Sequence, residues 1–156
     1  MPSKPLSTHA EVAQLIRKEL KRRGIKGKVH SSSFAGGNAV DIYLQDQPPR
    51  IVRELNEFCG QFQYGSFNSM NDLYEYTNRR SDIPQVKYLI LYNLVSDEML
   101  QATWEYCREF FGGLTDMPEK YEDARNYNVL GGEYASDLVR SFYSGDRGAF
   151  WDKSLR

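Results

Sequence analysis

The sequence predicts an α+β domain: a small antiparallel sheet of three to four strands, with helices packed mainly on one face. Three observations carry this. Apolar residues recur at helical spacing in four separated stretches. Val40, Ile42 and Leu44 alternate with Asp41 and Tyr43, the period of two expected of a half-buried strand. Ala35-Gly36-Gly37-Asn38 supplies residues that tolerate positive φ, so the strand over 28–34 can reverse into this one as a hairpin. The resulting order is helix, two strands, helix, two strands, helix, helix.

Residues 1–7 read as a flexible leader. Thr8 and Glu11 are spaced as a capping box, and Val12, Leu15, Ile16 and Leu20 form the apolar stripe of the first helix. Gly24 is its expected stop. After the hairpin, Asp46 is a candidate cap and Pro48-Pro49 a first turn for the second helix, whose stripe runs Ile51, Val52, Leu55, Phe58, Cys59 and Phe62. Over 63–85 the pattern is irregular, with a short strand expected at 73–77. Residues 86–92 are apolar at nearly every position, which predicts a central strand covered on both faces. Ser96 caps a third helix striped by Leu100, Trp104, Cys107 and Phe111. Residues 114–132 read as an acidic loop. A last helix over 133–144 turns Tyr134, Leu138 and Phe142 inward, and Phe150-Trp151 in the tail over 145–156 dock back.

The 156 residues fit one domain of ordinary composition, 40% apolar and 26% charged. No signal peptide or apolar run of membrane-spanning length is visible, so the expected location is the cytoplasm, with Cys59 and Cys107 as reduced, buried thiols. The net charge of −1 is unevenly spread: residues 1–30 hold eight Lys or Arg against two Glu, and 96–137 hold ten acids against three bases. Eleven Tyr, eight Phe and two Trp stand out; a core plus ordinary surface accounts for most of them, and tyrosine is also common at interfaces.

No catalytic constellation is present. His9 and His30 have no neighbours at metal-ligand spacing, and Gly36-Gly37 lacks the lysine and the strand-to-helix setting of a phosphate loop. Neither an enzyme, a cofactor nor a metal is expected. Two binding surfaces compete. Asp116, Glu119, Glu122, Asp123, Glu133 and Asp137, with Tyr121, Tyr127 and Tyr134 as anchors, fit a Lys/Arg-rich partner surface in place of phosphates. Arg17, Lys18, Lys21, Arg22, Arg23, Lys26 and Lys28 offer a cationic edge to nucleic acid, although basic residues also collect at helix C-termini for dipole reasons alone.

Three runs carry a family resemblance: Ile16-Arg17-Lys18-Glu19-Leu20, then Ser31-Ser32-Ser33-Phe34-Ala35-Gly36-Gly37-Asn38-Ala39-Val40-Asp41-Ile42, then Tyr92 through Ser96-Asp97-Glu98. Over about Thr8 to Phe111 the chain resembles a large polyvalent protein-associated domain, a module carried by phages and conjugative elements. That resemblance implies a task in counter-defence. A small free-standing version resembles an anti-CRISPR protein, a monomer or homodimer in the host bacterial cell that binds CRISPR-Cas or restriction subunits and blocks nucleic-acid binding or nuclease recruitment. Nucleic acid is the alternative partner. The resemblance brings no catalytic residues with it; Ser31, Gly36, Gly37 and Asp41 match as hairpin geometry.

Overall fold

The computed structural model describes residues 7–110, 114, 116–126, 134–145, and 150 and 151. The architecture is α+β. Helix α1 (Thr8–Arg22) is followed by β1 (Lys28–Phe34), β2 (Gly37–Gln45), α2 (Pro49–Gly60), β3 (Ser66–Asn68), β4 (Leu73–Glu75), β5 (Tyr88–Leu94) and α3 (Asp97–Phe110). Among the described residues, a 3-10 segment (Tyr121–Asn126) and α4 (Ala135–Tyr143) follow. The chain divides into two compact units: unit 1 is Met1–Gln45 with Val52–Leu94, and unit 2 is Asp46–Ile51 with Val95–Arg156.

In unit 1 the main sheet has the order β1-β2-β5. β1 and β2 are antiparallel across the hairpin, where Ala35-Gly36 is the two-residue turn and Gly36 takes φ +96°. β2 and β5 are parallel, from Ala39↔Tyr88 to Gln45↔Leu94. The sheet is therefore mixed rather than purely antiparallel. The reason is the long crossover through α2, which returns the chain to the starting end of β2 and lets β5 run the same way. β2, not β5, is the middle strand. The expected short strand at 73–77 is β4, and it pairs only with β3 in a separate hairpin.

One face of the main sheet is covered. Val29, Val40, Ile42 and Leu44 are buried there with Val12, Ala13, Ile16 and Leu20 of α1 and Leu55 and Cys59 of α2. α1 begins one residue earlier than the capping box implied: Ser7 is the cap residue and no side chain caps the helix. It ends as expected at Gly24, φ +70°, where the Gly24 amide donates to Lys21 O and the Ile25 amide to Leu20 O, the paired bonds that close a helix before a glycine.

Side-chain amides hold the irregular stretch between α2 and β5. Gln85 Nε2 donates to Gln61 O (2.8 Å) and Asn78 O (2.9 Å), and its Oε1 accepts from the Arg80 amide (2.8 Å). Gln63 Nε2 donates to Gly65 O and its Oε1 accepts from the Leu89 amide. Asn78 Nδ2 donates to Gly60 O and Gln63 O.

In unit 2, Trp104, Cys107, Ala124, Leu138, Val139 and Phe142 form a core with Phe150. Tyr106 meets both Phe142 and Phe150 edge-on, and Trp151 Nε1 donates to Tyr143 O, so the aromatic pair at 150–151 docks as expected. Ser96 Oγ accepts from the Met99 amide and caps α3. Asp46, at φ +54°, accepts from the Ser96 amide, so it serves the start of α3 and not α2. Tyr134 is half exposed instead of inward, because it is the residue before the first turn of α4 and precedes the buried stripe. Phe111 lies outside the described residues. Among the described residues, no helix is long and apolar enough to cross a membrane.

Candidate functional site

The basic cluster is partly engaged within the fold. Arg17 Nη2 donates to Val29 O at 2.7 Å, tying α1 to β1. Glu19 pairs with Arg22 (2.5 Å) and Arg23 (2.8 Å), and Arg23 also reaches Glu54 at 3.3 Å. The hydrogen bond from Arg22, then that from Arg23, holds the Glu19 carboxyl down at about 2. Lys18, Lys21, Lys26 and Lys28 are exposed.

The acidic candidates are only partly assembled. Asp116 accepts from Arg108 Nη1 at 2.7 Å. Tyr121 is an internal strut: its hydroxyl donates to Ser136 O and binds the 3-10 segment to α4, and burial pushes its pKa up to about 12. The 3-10 segment packs on α4, and Glu122 and Asp123 on the one, Asp137 on the other and Tyr134 just before it are all exposed, with Glu119 exposed nearby in sequence. Lys120, Arg125 and Arg140 are exposed on the same segments and offset those charges. Tyr127 and Glu133 lie outside the described residues.

Both cysteines are buried, and desolvation is the first cause that raises each thiol to about 12. Neither is poised to ionise as a nucleophile at neutral pH.

A third surface escaped the sequence reading. On the face of the main sheet away from α1, the register aligns Lys28, Tyr43 and Tyr92 in one row. His30, Asp41 and Ile90 form the next, then Ser32, Ala39 and Tyr88. Phe34, Tyr43, Ile90, Tyr92 and Leu94 are all exposed there, Tyr92 to 40%. Tyr43 and Tyr92 lie nearly parallel, centroids 5.1 Å apart and planes 9° apart; Phe34 and Tyr88 stack at 6.2 Å and 26°. A contiguous exposed apolar face of this kind marks a contact surface more often than an accident of folding.

The aromatic row continues onto the β3-β4 hairpin. Tyr88 meets Tyr74 edge-on at 5.6 Å, and Tyr74 meets Tyr64 and Tyr76. Lys87 Nζ sits 5.0 Å from the Tyr74 ring and 5.6 Å from that of Tyr88, and the Arg79 guanidinium lies over Tyr76 (5.2 Å) and Tyr64 (5.8 Å). The Tyr74 hydroxyl donates to Lys87 O, and burial first, then the neighbouring tyrosines, raises its pKa to about 12. Gly65 permits this packing, since a Cβ there would fall 2.1 Å from Glu75 O. The signal available in the sequence was the nearly continuous apolar run of β5: it reads as burial on both faces, whereas one face is covered and the other is an aromatic surface.

The sequence profile of the large polyvalent protein associated domain 29 matches residues 7–100, well over half of the chain and all the described residues of unit 1. No curated protein and no solved structure matches the chain significantly.

Proposed function

The chain belongs to the large polyvalent protein associated domain 29 family of phage and mobile-element proteins, and from that premise we propose that it is a non-enzymatic module that binds nucleic acid through unit 1. The observation that carries this is the segregation of charge. Unit 1 holds twelve Lys and Arg against eight Asp and Glu, a net of +4; unit 2 holds eight against thirteen, a net of −5. Polyanion binding follows from such a local excess rather than from the net charge of the chain. The exposed amines of Lys18, Lys21, Lys26 and Lys28 supply it where Glu19 has taken up Arg22 and Arg23. Retention on mixed-sequence DNA or RNA, measured against salt, tests this. With three or four phosphate contacts, log K falls against log salt with a slope of about −2 to −3 on a single strand, and K18Q/K21Q/K26Q flattens it. Absent or salt-independent retention contradicts the proposal.

A second reading rests on unit 2. The exposed carboxylates of Glu119, Glu122, Asp123 and Asp137 beside Tyr134 fit a Lys/Arg-lined surface. On this reading the chain is an anti-CRISPR or anti-restriction protein acting in the host cytoplasm, and it occludes nucleic-acid binding or nuclease recruitment by a defence complex. E122K/D123K/D137K then abolishes inhibition of that complex with an unchanged thermal melt; full inhibition by this variant removes the reading.

A further inference from the structure

We propose that the open face of the β1-β2-β5 sheet is a stacking platform for single-stranded nucleic acid, with Tyr43–Tyr92 and Phe34–Tyr88 as two base seats. This rests on the nucleic-acid reading of unit 1 and names the face and the form of the ligand. The first support is ring geometry. Tyr43 and Tyr92 come from the neighbouring strands β2 and β5, Phe34 and Tyr88 from β1 and β5 across β2; in both pairs the rings are stacked, 9° and 26° from parallel, and held by the sheet rather than by a loop. Rings presented this way take the face of a planar base, a contact that tolerates any sequence because every base has one.

The second support is where the cations lie. Lys28 is the cross-strand partner of Tyr43, and the Lys87 ammonium is 5.6 Å from the Tyr88 ring. Each seat thus has a lysine beside it; the Lys87 ammonium donates to Gly36 O at 3.0 Å and keeps two further N–H donors for the phosphate attached to a stacked base. A protein partner for an exposed apolar face has no need of an ammonium at each aromatic pair; a strand that alternates base and phosphate does. The two seats are four residues apart along the strands, Tyr43 to Ala39 and Tyr92 to Tyr88, which is about 13 Å at the rise of a β-strand. A strand of a few nucleotides spans that gap. Between the seats, Asp41 and His30 face each other across the β1-β2 ladder. Their polar atoms sit where the edge of an intervening base would pass, and a carboxylate there accepts from a base amino group.

The same geometry selects against a duplex. Paired bases keep their faces inside the helix stack, out of reach of a flat sheet surface, whereas a single strand can splay them outward. The expected preference is for strand over duplex, in DNA, RNA or both.

The test measures the affinity of the full chain for a fluorescent mixed-sequence strand of about ten nucleotides, as DNA and as RNA, and for the matching duplex. The expected result is tighter binding of the strand, and a loss of about five- to 150-fold in Y43A/Y92A, the equivalent of about 1–3 kcal/mol for one stacked base. Y43F/Y92F, which keeps both rings, stays within about twofold of the parent. If Y43A/Y92A does not melt as the parent does, Y92L removes one ring while keeping an apolar side chain in place. Strand binding that the ring-removing variants leave unchanged overturns the platform, as does equal affinity for duplex. Either result, if binding remains steeply salt-dependent, leaves the charge-based reading of unit 1 standing. No binding to any nucleic acid sinks both. A dimer that dissociates in Y43A/Y92A, with no strand bound, gives the face to a second copy and also overturns the platform.

Discussion

Gln85 shows how much of this fold depends on single side chains. It is 9% exposed and bonds three backbone groups from three different points of an irregular stretch. Gln85→Leu keeps the volume but strands those groups, and a buried donor or acceptor left alone costs about 1–3 kcal/mol. The expected loss is about 3 kcal/mol, read as a lower urea midpoint with an unchanged slope; a midpoint shift that corresponds to only a few tenths of a kcal/mol contradicts it. Glu19 gives a pH-dependent counterpart. Its carboxyl titrates near 4.5 when unfolded and about 2 when folded, so the folded state holds fewer protons between those values. Its contribution is complete above pH 4.5 and disappears as pH falls toward 2. Glu19→Gln removes that share of the acid limb in a melt-versus-pH series; an identical limb in both proteins refutes the assignment. Neither residue declares its role in the sequence. Amide brackets such as Gln63, Asn78 and Gln85 have no periodicity, which is why the stretch over 63–85 resisted reading while Gly24 and Ser96, whose roles follow from local chain geometry, did not.

At the scale of the element, the main sheet has two faces with opposite tolerances. Ile42 is fully buried on the covered face; Tyr92 is 40% exposed on the other. Ile42→Ala is expected to cost about 2–5 kcal/mol as a core cavity. Tyr92→Ala forfeits mainly its stacking on Tyr43, about 1 kcal/mol. Comparable losses in denaturant melts contradict the view that one face is open. The helices and the hairpin were legible because their apolar spacing reflects one buried side. β5 was placed wrongly for a physical reason: an apolar side chain at nearly every position satisfies two covered faces and equally one core face backed by a surface that stacks aromatics. Pairing direction was also hidden, since the sequence of β5 is the same whether it meets β2 parallel or antiparallel. The crossover through α2 decides it.

For the whole molecule, a net charge of −1 conceals a basic unit and an acidic one. The uneven spread was visible in the sequence, but not that Glu19 would take up two of the arginines or that Tyr121 would turn inward as a strut. The family match spans the described residues of the basic unit, which carries the aromatic sheet face, together with residues 46–51 and 95–100 of the acidic one. The central claim is that this face receives a single strand. Photo-crosslinking of the full chain to a strand carrying halogenated uracils, with the attached residues identified by mass spectrometry, tests it most directly. The account predicts adducts at Tyr43, Tyr92, Tyr88 or Phe34, suppressed by unlabelled strand. Adducts confined to the lysines of α1 or to unit 2, with those four rings unmodified, would contradict it.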